Sequence, residues 1–124
     1  MNRYLPHLFL ALALVMNAAA NVLIKYAATR SVAHPLGENA SFVARLASYV
    51  SPFFVLAIAL FGMNLLAYSV ALRSFRISIA YPIMVSGGYV LILIAGWFLF
   101  QERLNPPQYA GIGLILAGLW LVVR

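Results

Sequence analysis

Asn17, Asn21 and Lys25 recur every four residues, and residues four apart share one face of a helix. Two amides leading to an ammonium, set in a stretch that is otherwise apolar, form a polar face tipped by a cation. Such a face suits a neutral or anionic headgroup better than a cation. Asn64 and Tyr68 repeat the spacing of four, with Ser69 beside them, and Tyr81, Ser86 and Tyr89 follow further along. Amides and phenols in an apolar medium need partners. Two readings therefore stand: these groups bond one another across a bundle, or they line a cavity that receives a polar cargo.

The acids are placed differently. Glu38 lies in a polar connection, and Glu102 lies beside Arg103, where a helix-end ion pair is expected. Membrane carriers that exchange protons commonly use a buried carboxylate, whose pKa burial lifts towards neutrality; the apolar stretches here hold none. The chain has no Ser-His-Asp set, histidine cluster or P-loop, and His7 and His34 read as interface residues flanking the first apolar stretch. With no cysteine, disulfides and thiol chemistry are excluded. Catalysis, a metal and a cofactor are not expected.

The elements that must position these residues follow from composition. Of the 124 residues 65% are hydrophobic and 8% charged, whereas a soluble domain is nearer half apolar and a quarter charged. An all-α integral membrane protein is expected, a single domain over 1–124 with four transmembrane helices at about 8–24, 52–72, 78–99 and 108–123. Each is close to the roughly 20 residues that cross a bilayer. Short second and third connections imply an up-down-up-down bundle. The stretch Met16 to Asn21 resembles a signal-peptide cleavage region, but Val22, Leu23 and Ile24 continue the apolar run, so a retained helix is expected. Between the first two spans, Phe42, Leu46, Tyr49 and Val50 recur at helical spacing, which points to a short helix lying in the interface. The nearby Asn39-Ala40-Ser41 matches a glycosylation acceptor too briefly to carry weight.

The third span is not a plain anchor. It carries Pro82 after Tyr81 and then Ser86, Gly87 and Gly88. Proline removes a backbone donor, and paired glycines loosen a helix. A helix kink facing an internal cavity is one expectation, since hydrocarbon does not satisfy freed backbone groups. The other is a packing helix whose small residues admit a close neighbour. The fourth span sets Gly111 and Gly118 seven apart, and Gly113 and Ala117 four apart. These spacings allow close helix contact, either within the chain or across a dimer seam. Four helices enclose little volume, which favours the dimer.

The net charge of +6 does not indicate nucleic acid, because the basic residues flank apolar spans and no basic stripe with interleaved aromatics is present. There they anchor helix ends and meet anionic lipid headgroups. Arg3, Arg73, Arg76 and Arg124 fall on one side of the bilayer and Lys25, Arg30, Arg45 and Arg103 on the other, a tally of 4 against 4. Without a charge bias both orientations are open, so an antiparallel homodimer becomes available. A single orientation fixed by the free amino terminus near Arg3 is the alternative.

The run I-A-Y-P-I-M-V-S-G-G-Y-V-L-I, followed by W-F-L-F-Q-E-R-L and G-I-G-L-I-L-A-G-L-W-L-V, resembles the small multidrug resistance branch of the drug/metabolite transporter superfamily. It is also similar to the four-helix halves of EamA-type permeases. The first span resembles that branch more loosely, through A-L-V-M-N-A-A-A-N-V-L-I-K. The resemblance implies a dimeric alternating-access transporter in a bacterial inner membrane. It places Tyr81 on a substrate-contacting tyrosine, Ser86 to Gly88 on the kink, Gly111 and Gly118 on the dimer contact, and Lys25 on a lysine ending the first helix. Two positions depart from the drug exporters. Asn17 stands where they keep a glutamate, and Met84 where they keep an aromatic. Both changes remove what attracts and stacks a lipophilic cation.

A second branch resembling this chain lacks that glutamate: subunits thought to flip undecaprenyl-phosphate-linked aminoarabinose. By that resemblance the expected cargo is amphipathic, such as a polyprenyl-phosphate-linked sugar, with Asn17, Asn21, Lys25, Asn64, Tyr68, Tyr81 and Met84 as its binding residues. The partner is a second copy or a similar four-helix subunit. An exporter of quaternary ammonium or lipophilic cations, and a non-transporting subunit of a larger complex, remain as alternatives.

Overall fold

A computed structural model describes residues 3–32 and 36–124; the side chains at 31 and 32, and His34 with its neighbours, lie outside that description. Among the described residues there are five helices: α1 (Leu5–Val32), α2 (Phe42–Ser48), α3 (Pro52–Ala71), α4 (Ile77–Phe100) and α5 (Pro106–Val123). All but α2 are long and apolar enough to span a membrane.

The helix boundaries have local causes. Ser51 caps α3, its hydroxyl accepting from the Phe54 N–H at 3.2 Å, with Pro52 at the first helical position. There a missing donor does no harm. Ser41 caps α2 in the same way through the Ala44 N–H, and Phe42 and Val43 leave this helix largely exposed, as an interfacial element requires. At α5 both Pro106 and Pro107 belong to the first turn rather than to the preceding connection. The Asn105 N–H donates to Gln108 Oε1 at 2.7 Å, which steadies that start.

The largest difference from expectation is the length of α1. The sequence closes the first span at Lys25, whereas the helix continues to Val32. A cation ends the hydrophobic segment without ending the helix, because a helix leaves the bilayer intact. The extension is anchored. Tyr26 meets Phe53 edge-on at 4.9 Å, and the Arg30 guanidinium stands over both rings at 5.0 and 5.6 Å.

Ring contacts also fix the topology. His7, near the start of α1, meets Phe75 in the α3–α4 connection at 4.8 Å. Tyr26 and Phe53 join the far part of α1 to the start of α3, and Lys25 stands 5.1 Å from the centre of the Phe100 ring near the end of α4. So α1 is antiparallel to α3 and parallel to α4. It packs against both, while α5 packs on α4.

The core is built from small residues. Ala13, Ala71 and Ala80 are fully buried, joined by Ala67, Leu10 and Met84. Small side chains at such seams let backbones approach closely where lipid supplies no hydrophobic drive. Two glycines on α4 do the same. A Cβ on Gly87 would overlap Leu14 Cδ1, and one on Gly88 would stand 3.1 Å from Asn17 Nδ2. Thus 86–88 is where α1 presses against α4. The helix runs unbroken through Pro82, Ser86, Gly87 and Gly88, and Ser86 Oγ donates to the Pro82 carbonyl at 2.7 Å.

The outer helix is different. Among the described residues none of α5 is buried, and a Cβ added at Gly111, Gly113 or Gly118 would meet nothing within 4 Å. Ala117 is likewise exposed. The absence of a Cβ at these glycines is therefore not required by any close neighbour among the described residues.

Candidate functional site

The face of α4 that carries Tyr81, Val85 and Tyr89, four residues apart, together with Pro82, Ser86 and Ile92, forms one wall of a cavity of about 520 Å³. Asn17 of α1 and Ile115 and Leu119 of α5 complete it. Tyr81, Val85 and Ile115 remain 55%, 43% and 54% exposed, so this is a groove open along its side rather than a sealed chamber. Its lining is almost wholly apolar, with polarity confined to the Asn17 amide, the Ser86 hydroxyl and the two phenols. The groove wall contains no carboxylate.

Two helical turns along α1 from Asn17 the passage narrows. Asn21, Val22 and Lys25 face Ile92, Gly96, Phe100 and Glu102 around a space of about 40 Å³, little more than one water requires. Ile92 borders both spaces. The Asn21 side-chain amide donates to the Asn17 carbonyl at 2.9 Å, so one of its donors is occupied within α1.

Lys25 closes the narrow end in an ion pair with Glu102, and both side chains are about half exposed. This corrects the expectation that Glu102 pairs with its neighbour Arg103. The reason is the turn that ends α4. Gln101 adopts a left-handed backbone at φ 52°, and the Glu102 N–H returns to the Gly96 carbonyl at 3.0 Å, a Schellman-like closure. The turn swings the Glu102 carboxylate back along α4. There Gly96 leaves room for it, since a Cβ at that position would lie 3.1 Å from Glu102 Oε2. Lys25 is therefore a neutralised cation, and the free cationic tip expected from the sequence is absent in this state.

The remaining candidates divide between two other places. Asn64 is 9% exposed on α3, and its Oδ1 and the Tyr68 hydroxyl are buried with no hydrogen-bond partner among the described residues. Neither residue lines the groove. Met84 is 8% exposed and belongs to the core cluster with Ala13, Ala67 and Ala80; the groove lining does not include it. It lies three residues beyond Tyr81, rotated off the Tyr81–Val85–Tyr89 face.

Sequence reasoning missed the α5 wall and the role of Glu102. Val85 and Ile92 were accessible in principle, because they extend the helical period of Tyr81 and Tyr89. Ile115 and Leu119 were not, since α5 is apolar all round and any of its faces looks alike.

Comparison with known proteins agrees with this architecture. The family model of the Small Multidrug Resistance protein matches residues 44–115. A probable 4-amino-4-deoxy-L-arabinose-phosphoundecaprenol flippase subunit, ArnE, of Pseudomonas savastanoi is 36% identical over 71% of this chain and 76% of its own. The spermidine export protein MdtI of Salmonella arizonae is 31% identical over 92% of this chain and 88% of its own. An uncharacterized protein of Sinorhizobium fredii is 31% identical over 62% of this chain and 66% of its own. No solved structure gives a significant match. The four apolar helices and these relatives make this an integral protein of the bacterial inner membrane. The chain belongs to the small multidrug resistance family of small membrane transporters.

Proposed function

We propose that the protein works as a dimeric alternating-access transporter of an amphipathic, anionic cargo, in the manner of a polyprenyl-phosphate-linked sugar, and is not an enzyme. The observation that carries this reading is the groove itself: a side-open, apolar trough with Tyr81 and Asn17 and no carboxylate in its wall, bordered through Ile92 by the narrow space where Lys25 stands. A polyprenyl tail stays in lipid along the open side, and the sugar meets the Asn17 amide and the phenols. The phosphate is drawn to Lys25. A lysine is a strong partner for phosphate, and Asn17 removes the charge that would repel it. The relative named as a flippase subunit for such a lipid accords with this.

The bare face of α5 supports a dimer, in which Gly111, Gly113, Ala117 and Gly118 meet a second copy or a similar four-helix subunit. The even distribution of basic residues leaves opposite insertion of the two copies open.

A second reading, export of a small cation, is favoured by one observation: the half-exposed Glu102 carboxylate stands at the groove end with the Phe100 ring nearby. The relative named as a spermidine exporter accords with that. Translocation by the purified protein in liposomes separates the two. We expect protein-dependent movement of a labelled polyprenyl-phosphate sugar and none of labelled spermidine. The opposite pattern would replace the first reading with the second.

A further inference from the structure

We propose that Glu102 is an internal counter-ion that holds Lys25 in the absence of cargo and is displaced by the cargo's phosphate, so that it sets both the selectivity and the release of the anionic headgroup. The inference rests on the lipid-phosphate reading above and deepens it. Three features of the fold carry it.

First, the pair is built rather than accidental. Glu102 reaches Lys25 only because Gln101 takes a left-handed backbone and the Glu102 N–H bonds the Gly96 carbonyl at 3.0 Å. A non-glycine residue in that region is uncommon and mildly costly. The carboxylate also needs the missing Cβ of Gly96, whose position lies 3.1 Å from Glu102 Oε2.

Second, the pair blocks the way to its own lysine. The space around Asn21, Lys25, Gly96 and Glu102 is about 40 Å³, against about 520 Å³ in the groove that adjoins it. A phosphate entering from the groove reaches the ammonium only when the carboxylate leaves. The exchange is balanced in charge, one anion for another on a single cation. A half-exposed ion pair is weak enough for a phosphate to displace.

Third, the displaced carboxylate has somewhere to go. On the other side of the turn lies a recess of about 360 Å³ lined by Trp97, Phe98, Gln101, Glu102 and Arg103. A carboxylate turned into this recess would share it with the Arg103 side chain. The occupant of Lys25 thus decides whether the carboxylate faces Lys25 or turns towards Arg103, which lines the same recess. When Glu102 returns to Lys25, it expels the phosphate. The ion pair is the release step as well as the filter against weakly charged lipids.

The test is a double-mutant cycle read as binding of polyprenyl phosphate to the detergent-purified full chain. Wild type is compared with Glu102→Gln, Lys25→Met and the double variant. Removing the competitor is expected to tighten binding in Glu102→Gln about tenfold, while translocation in liposomes slows because the headgroup is not released. In the Lys25→Met background the competition is gone and Glu102→Gln relieves only like-charge repulsion at a half-exposed site, so its gain is expected to fall well below that in the wild-type background. A purely structural role for Glu102 would weaken binding, so the gain in affinity is the diagnostic. Binding to wild type with unchanged or weaker binding to Glu102→Gln overturns the counter-ion role and leaves the lipid-phosphate reading in place. Absence of binding to both overturns both. Binding of spermidine by wild type that is lost in Glu102→Gln reassigns the carboxylate as a cation site and overturns the proposal as well.

Discussion

Lys25→Ala and Asn17→Ala are each expected to abolish translocation of the anionic cargo while leaving the bundle folded. The two positions act on different parts of the cargo. Lys25 supplies the charge at the narrow end of the passage, and without it Glu102 faces an arriving phosphate as an unpaired like charge. Loss of flux by at least about a hundredfold corresponds to roughly 2.7 kcal/mol of lost interaction, which a lost hydrogen bond to a charged group, about 1.5–3 kcal/mol, and the uncovered repulsion of Glu102 supply together. Asn17 is the one amide in the groove wall, packed against Gly88 of α4. Alanine there removes a donor and an acceptor from an apolar trough that has few others. Neither change threatens the fold. The Lys25–Glu102 pair is half exposed, and such pairs contribute at most about 1 kcal/mol. Asn17→Ala substitutes a good helix former in mid-helix. Flux and melting temperature measured side by side check the prediction, and wild-type flux in both variants would remove these residues from the site.

The second large effect is expected at α5. A Cβ added at Gly118 or Gly111 meets nothing within 4 Å of its own chain, so the isolated bundle is expected to tolerate leucine there. Across a close helix seam between two copies the same side chain holds the backbones apart. Both substitutions should therefore convert dimer to monomer in detergent and stop transport, with little loss of helix content. Gly87→Leu provides the contrast, because its side chain runs into Leu14 of the same chain. Overpacking of that kind costs about 1–3 kcal/mol, and the loss should appear as a lowered melting temperature with the dimer contact untouched. Size-exclusion chromatography with light scattering distinguishes the two patterns. A Gly118→Leu protein that remains a fully active dimer would place the dimer seam elsewhere.

The sequence made the helices legible because membrane spans are declared by composition and bounded by residues with fixed roles. Pro52 at the mouth of the second span marks a start that the structure reproduces, and the fourth helix begins two residues before the expected 108, because Pro106 and Pro107 form its first turn. The polar face of Asn17, Asn21 and Lys25 was also readable, since spacing of four is a property of the helix alone. Other features depend on which way each helix faces, and an apolar sequence is silent on that: core and lipid are equally apolar, so α3, α4 and α5 carry no amphipathic signal. Hence Met84, expected at the cargo, lies in the core, and neither the buried Asn64 nor the half-buried Tyr68 on α3 lines the groove. The partner of Glu102 was hidden for another reason. Neighbours in sequence suggested Arg103, but the left-handed turn at Gln101 aims the carboxylate at Lys25 instead. A single positive φ at a non-glycine position leaves no pattern to read.

The most direct test of the central claim is the thermal stability of the detergent-purified protein with each of two ligands, a polyprenyl-phosphate sugar and a lipophilic cation. A ligand that binds only the folded state stabilises it by about 2.7 kcal/mol at 100 times its dissociation constant, a readily measured rise in melting temperature. The account predicts that rise with the lipid phosphate and none with the cation. A rise with the cation alone would contradict it, and would mean that a groove without a carboxylate in its wall still serves a cationic cargo.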